Sequence, residues 1–183
     1  GTLAVSPIKE KPLFQLFAEQ LLGLSEKYGV VIPWHVMCSP LNLEATLSHF
    51  EDRKYYGLGQ DNLKFFAQGV MPATDFEGNL LLARHDSLAL SPNGHGGSLK
   101  ALIDSGSVAD MAERGIEHVS YFQVDNPLVS VVNPLLIGLH DLQRSDMSSR
   151  SLTKTGPFEK LGNFVSIGDR VTIIEYSDLA EEK

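Results

Sequence analysis

Between two stretches whose apolar residues recur every three or four positions lies an uncharged run, Val30-Val31-Ile32-Pro33-Trp34-His35-Val36-Met37-Cys38. A β-branched and aromatic run without charge predicts a buried strand, here entered through Pro33. Before it, Phe14, Phe17, Leu21, Leu24 and Tyr28 fall on one helical face, with Pro12 at the start and Gly29 at the end. After it, Ser39-Pro40 reads as an N-cap and first-turn proline, with Leu43, Leu47 and Phe50 as the inward face of a second helix. Helix, strand and helix in this order confine the chain to a layered α/β arrangement.

The alternation continues downstream. Strands are predicted over 63–67 and, after the Phe76-Glu77-Gly78-Asn79 turn, over 79–83; helices are predicted over 98–105, 108–114 and 134–144. Residues 118–124 read as a further buried strand, and 163–167 with 170–176 as a hairpin closed by Gly168-Asp169. The expected fold class is therefore α/β: a mostly parallel mixed sheet with helices on both faces. Lys154-Thr155-Gly156-Pro157 reads as a mobile surface loop.

Composition narrows the function classes. The 183 residues are 43% hydrophobic and carry 15 Lys+Arg against 23 Asp+Glu, a net charge of -8. Such a chain can bury enough apolar surface to offset its ordering entropy. Its acidic excess is the wrong sign for holding a nucleic acid polymer or an anionic membrane non-specifically. The single cysteine, Cys38, excludes an internal disulfide and fits a cytoplasmic setting. No His-x-His or Cys-x-x-Cys pair supplies a structural zinc site. The apolar stretch around 127–139 is broken by Asn133 and Pro134 and is too short for a membrane helix, and no signal-peptide pattern precedes it. The sequence opens on Gly1-Thr2-Leu3 without Met, so it reads as part of a longer protein.

Ligands of open α/β sheets bind beyond the carboxyl ends of strands, which directs attention to two loops. In Leu90-Ser91-Pro92-Asn93-Gly94-His95-Gly96-Gly97-Ser98, three glycines precede a helix. They suit close approach of a base or phosphate to the backbone, although a lone Gly-rich loop is more often a tight turn needing positive φ. Neither the Rossmann nor the P-loop spacing is present. In Asp125-Asn126-Pro127, the carboxylate suits Mg²⁺ shared with substrate phosphates, or equally a turn before proline. Ser151-Leu152-Thr153-Lys154 matches the Ser-x-x-Lys spacing by chance, without its partner motifs. His35 and His118 read as satisfied core or edge residues, and Glu175 and Tyr176 as strand-end polar groups suited to sugar hydroxyls.

Five segments then occur in order: Phe65-Phe66-Ala67-Gln68-Gly69-Val70-Met71-Pro72-Ala73, Ser91-Pro92-Asn93-Gly94-His95-Gly96-Gly97, Arg114-Gly115-Ile116-Glu117-His118-Val119, Val124-Asp125-Asn126-Pro127-Leu128-Val129 and Ile174-Glu175-Tyr176-Ser177-Asp178. Together they resemble the UDP-sugar pyrophosphorylase family over about residues 13–178. The likeness is strongest to the UDP-N-acetylglucosamine pyrophosphorylase branch with its bacterial uridylyltransferase-like members.

The resemblance implies an incomplete nucleotide-diphospho-sugar transferase core of the glycosyltransferase-A-like kind, the central part of one catalytic domain. The implied activity joins UTP and a sugar 1-phosphate, N-acetylglucosamine 1-phosphate first, into a UDP-sugar and pyrophosphate. By the same resemblance, Gln68 reads uracil, and Asn93 and Gly94 belong to the loop that packs on the base. His95, where this branch often has Asn and the glucose branch has His, lies near ribose and sugar. Asp125 binds Mg²⁺, and Gly162, Asn163, Glu175 and Tyr176 face the sugar, with Glu175 accepting a hydroxyl. No residue is assigned a covalent catalytic role.

The family's Gly-rich phosphate loop and following lysine are expected upstream, and a second metal acid and lysine downstream. The 183 residues alone are thus expected to bind uridine nucleotides weakly or not at all, and not to turn over. Three alternatives stand beside this: a glucose 1-phosphate enzyme, a non-catalytic nucleotide- or sugar-binding module, and an α/β domain without a ligand.

Overall fold

In the computed structural model, which describes residues 10–124, 126–156 and 159–178, the first predicted helix forms as α1, Leu13–Tyr28. The Pro12 carbonyl accepts from the Gln15 and Leu16 amides, and Gly29 ends the helix at φ 65°. Glycine takes that left-handed terminus without a Cβ clash. Strand β1, Trp34–Cys38, is shorter than the apolar run that predicted it. Pro33 has no N–H to give a ladder, and Val30 and Val31 stay exposed.

Helix α2, Leu43–Asp52, starts later than expected. Asn42 occupies the N-cap position, while the Ser39 carbonyl accepts from the Asn42 and Leu43 amides. Its buried residues are Thr46 and Phe50; Leu43 and Leu47 are only partly covered. The chain then passes through a tight turn, Lys54–Gly57, whose Lys54, Tyr55 and Tyr56 all adopt positive φ. Such backbone is unfavourable for residues with a Cβ and persists where packing holds it. Tyr56 is held by its ring contact with Phe50 at 5.4 Å and by the hydrogen bond between its hydroxyl and His49.

Strand β2, Leu63–Ala67, returns parallel to β1 in the register Trp34↔Leu63 to Cys38↔Ala67. Successive strand residues face opposite sides. Trp34, Val36 and Phe65 thus meet α1 and α2, while His35 meets α4 (Ser107–Glu113) on the other side. Helix α3, Gly97–Asp104, contacts β2. For this pair of strands, helices do cover both faces.

The core is aromatic. Phe50 packs its ring centroid 4.9 Å from those of Phe14 and Phe65 and 5.7 Å from that of Trp34. Phe17 meets Phe122 at 5.0 Å. Tilted and edge-on rings of this kind contribute attraction beyond the apolar area they bury. The Cys38 thiol lies in the same core, where burial pushes its pKa up and leaves it unsuited to nucleophilic or redox work.

Beyond β1 and β2 the mostly parallel sheet is not found among the described residues. Strand β3 (Val70–Pro72) pairs antiparallel with β6 (Leu90–Pro92), β4 (Leu82–Arg84) with β5 (Ser87–Leu88), and β7 (Asn163–Ile167) with β8 (Arg170–Ile174). Two of these pairs are joined by two-residue turns, which force antiparallel pairing; a parallel pair needs a long crossover such as the one through α2. The strand predicted over 79–83 is displaced to β4, with Leu80 making only a single bridge to Thr74.

Residues 118–124 join no described ladder, and Val119, Tyr121 and Val124 are exposed. An apolar run becomes a buried strand only where neighbours flank it, and no described strand does so here. The last helix, α5, spans Pro134–Gln143. Two compact units result, Gly1–Ile137 and Gly138–Lys183. Among the described residues no helix is long and apolar enough to cross a membrane.

At the amino ends of β1 and β2 a cavity of about 190 Å³ is lined by Pro33, His35, Asp61, Lys64, Asp110 and Arg114. His35 Nε2 lies 3.7 Å from Asp110 Oδ2, and Asp110 Oδ1 accepts from Arg114 Nε at 3.1 Å. The other ring nitrogen, Nδ1, is buried without a hydrogen-bond partner among the described residues, so within them His35 is only half satisfied, contrary to expectation. Burial lowers the His35 pKa, outweighing the opposing pull of Asp110, with Lys64 and Arg114 adding to the fall. His49 shifts in the same direction, again chiefly through burial.

Between the depressed folded values and the ordinary value near about 6.5, the unfolded chain binds more protons. Stability therefore falls as pH drops through that window and levels off below it. Urea unfolding between about pH 7.5 and about pH 5 should show this loss, smaller in His35→Gln. A stability that rises on acidification over the same range would contradict it.

Candidate functional site

The loops beyond the carboxyl ends of β1 and β2 bring four predicted residues together. Gln68 directly follows β2, and its backbone N–H donates to the Cys38 carbonyl at 2.7 Å. Its side-chain Nε2 donates to the Gly94 carbonyl at 3.1 Å. Gly94 sits at φ 73°, a conformation that favours glycine, so the loop turns there and presents its backbone beside the Gln68 amide.

Asn93 ties the same loop to β3. Its N–H donates to the Gly69 carbonyl at 3.1 Å, continuing the β3–β6 ladder. Its side chain fills the space that Gly69 and Gly97 leave by lacking Cβ atoms. A Cβ on Gly69 would fall 2.5 Å from Asn93 Nδ2, and one on Gly97 would overlap Asn93 Oδ1. The glycines on either side of the loop are thus required by this asparagine side chain. Asn93 Oδ1 is buried without a partner among the described residues.

His95 is exposed, and its backbone is fixed. Its carbonyl accepts from the Ser98 N–H at 3.0 Å and the Ser98 hydroxyl at 2.6 Å. Its ring Nδ1 lies 2.8 Å from the Tyr121 hydroxyl, the rings meeting edge-on. Tyr121 was not singled out by sequence reasoning; its only signal was its place in the apolar run 118–124.

The second unit by itself gathers four more predicted residues, Gly162, Asn163, Glu175 and Tyr176. Asn163 opens β7 opposite Ile174 of β8, so Gly162 and Glu175 come side by side. A Cβ on Gly162 would fall 2.9 Å from Ile173 Cγ2 and 3.5 Å from Glu175 Oε1, so the missing side chain lets the Glu175 carboxylate lie against the backbone. Tyr176 follows in a tight turn, Tyr176–Asp178, and is exposed.

Asn163 Oδ1 accepts from Lys154 Nζ at 3.0 Å. The Thr155 N–H and hydroxyl both donate to Glu159 Oε2, at 2.6 and 3.0 Å, which holds the Glu159 carboxyl below its ordinary range. The segment read as a mobile loop is thus stapled at Lys154 and Thr155; Pro157 lies outside the described residues. Lys154, set aside as a chance motif match, emerges as the cation of this cluster.

Asp125, the expected metal ligand, also lies outside the described residues. Among the described residues no three His, Cys, Asp or Glu side chains come together to hold a metal ion.

Comparison with known proteins points to one family. The family model described as UTP–glucose-1-phosphate uridylyltransferase matches residues 1–183. The chain is 36% identical over 181 residues to UDP-N-acetylglucosamine diphosphorylase 1 of Arabidopsis thaliana, covering 92% of this chain and 36% of that protein. It is 32% identical over 177 residues to UDP-N-acetylglucosamine pyrophosphorylase of Saccharomyces cerevisiae, covering 94% and 37%.

A solved chain of Entamoeba histolytica, provisionally named UDP-N-acetylglucosamine pyrophosphorylase, superposes with a TM-score of 0.85 at 34% identity, covering 93% of this chain and 44% of that one. The α/β assignment therefore holds at the level of the fold these proteins share. This chain spans a little over a third of the length of the curated relatives named here.

Proposed function

The chain belongs to the UTP–glucose-1-phosphate uridylyltransferase family, and on that premise we propose that it forms the base- and sugar-binding part of an enzyme joining UTP and N-acetylglucosamine 1-phosphate. The products are UDP-N-acetylglucosamine and pyrophosphate. The observation that carries the reading is the bond from the Gln68 side chain to the Gly94 backbone at the carboxyl ends of the parallel strands. It sets an amide edge beside an open glycine backbone where an α/β unit meets its ligand. The names of the relatives favour the N-acetylhexosamine substrate; the family description and His95 keep glucose 1-phosphate as the second reading.

In this account a sugar phosphate oxygen attacks the α-phosphorus of UTP in line, and pyrophosphate leaves. The transfer needs positioning and charge neutralisation rather than a covalent enzyme intermediate. Gln68 keeps its carbonyl oxygen for the uracil N–H while its amino group holds the loop through Gly94. Glu175 accepts a sugar hydroxyl, and Lys154 steadies Asn163 beside it. Bound Mg²⁺, with Asp125 as its protein ligand, would neutralise phosphate charge.

Uracil differs from cytosine at the edge that Gln68 would read, and a site built for one pattern leaves groups unpaired with the other. Gln68→Ala in the full-length protein should lower the UTP-over-CTP ratio of kcat/KM by about tenfold, the size of one good hydrogen bond. Steady-state kinetics with the two nucleotides checks this, and an unchanged ratio would refute the base-reading role.

A further inference from the structure

Tyr121 and His95 stand 26 positions apart in sequence and meet through a 2.8 Å contact between the phenol oxygen and imidazole Nδ1. Both side chains are exposed, so no burial penalty forces them to pair. Everything else about His95 is already fixed: Ser98 holds its carbonyl, and Gln68 holds the carbonyl of the preceding Gly94. The bond from Tyr121 therefore acts on the ring itself.

We propose that Tyr121 is a positioning residue that sets which nitrogen of His95 faces the ligand. A neutral imidazole carries one N–H and one bare nitrogen, and the bond made by one nitrogen decides the role of the other. A phenol O–H is a stronger hydrogen-bond donor than its oxygen is an acceptor, which favours the tautomer with a bare Nδ1. Nδ1 accepts from Tyr121, so Nε2 carries the proton and the loop presents an N–H donor. Its complement is an acceptor oxygen of the bound nucleotide or sugar: a phosphate, ribose or hexose oxygen. This step rests on the functional reading above.

An asparagine amide offers an N–H at the same place without a helper, so the role of Tyr121 should vanish when His95 is Asn. In the full-length protein, Tyr121→Phe should raise KM for one of the two substrates about threefold to tenfold, the value of one hydrogen bond, with kcat within about twofold. In the His95→Asn background the same substitution should change nothing further. A merely structural tyrosine would instead cost the same in both backgrounds, and that additivity would overturn the proposal.

A readout independent of turnover is the ¹⁵N spectrum of histidine-labelled protein. The wild-type His95 ring should show a bare Nδ1 and a protonated Nε2, and Tyr121→Phe should move both signals toward those of an exchanging ring. A protonated Nδ1 in the wild type, or unmoved signals in the variant, would also overturn it. If the spectrum behaves as stated while the protein forms no UDP-sugar, it is the reaction assignment that falls and the ring assignment that stands.

Discussion

Asp125→Asn in the full-length protein should reduce Mg²⁺-dependent UDP-sugar formation by about 10²–10³-fold, the usual cost of removing one preorganised electrostatic partner of a reacting phosphate or carbonyl oxygen. Asparagine keeps the size of the side chain and loses the charge that a hard cation needs. The fold should survive, because the turn that follows is held by other groups. The Val129 N–H donates to the Asn126 carbonyl, and Asn126 Oδ1 accepts from the Leu128 N–H. The check is turnover against Mg²⁺ concentration together with a thermal melt: activity lost with Tm kept supports the metal role, and unchanged turnover contradicts it.

Phe50→Ala acts on stability rather than chemistry. Phe50 is 0% exposed, with ring contacts to Phe14, Trp34, Tyr56 and Phe65. Truncating a buried phenylalanine removes its transfer free energy and leaves a cavity, a loss of about 3–5 kcal/mol. The neighbours belong to α1, β1, β2 and the strained Lys54–Gly57 turn, so collapse around the cavity would loosen the strands whose carboxyl ends carry Gln68. Denaturant unfolding should show that full loss. A cost below about 1 kcal/mol would mean that the ring cluster is not the centre of the core.

The parts of this fold that were legible in sequence are those whose signal is local. The three-and-four spacing from Phe14 to Tyr28 with its terminal Gly29 became α1, and Gly168-Asp169 closed the β7–β8 hairpin with Gly168 at φ 60°. Where the outcome depends on a neighbour, sequence was a poorer guide. Residues 118–124 have the composition of a buried strand, yet composition does not say which strand lies beside them. Among the described residues the expected parallel sheet reduced to the one pair with a helical crossover, and two-residue turns impose antiparallel pairing on β4–β5 and β7–β8.

The candidate site divides in the same way. Gln68, Gly94 and His95 were reached through ordered motifs, and the folded loop does bring them together. The need for Gly69 and Gly97 beside Asn93 is a matter of three-dimensional packing that no linear spacing reveals. The Tyr121 bond to His95 and the Lys154 bond to Asn163 likewise join residues whose sequence neighbours say nothing of the contact.

The most direct measurement is pyrophosphate release by the full-length protein supplied with UTP, N-acetylglucosamine 1-phosphate and Mg²⁺, with UDP-sugar followed by chromatography and CTP as the control nucleotide. Equal amounts of pyrophosphate and UDP-N-acetylglucosamine are expected from UTP, with CTP far poorer. Absence of pyrophosphate with UTP and either N-acetylglucosamine 1-phosphate or glucose 1-phosphate would contradict it.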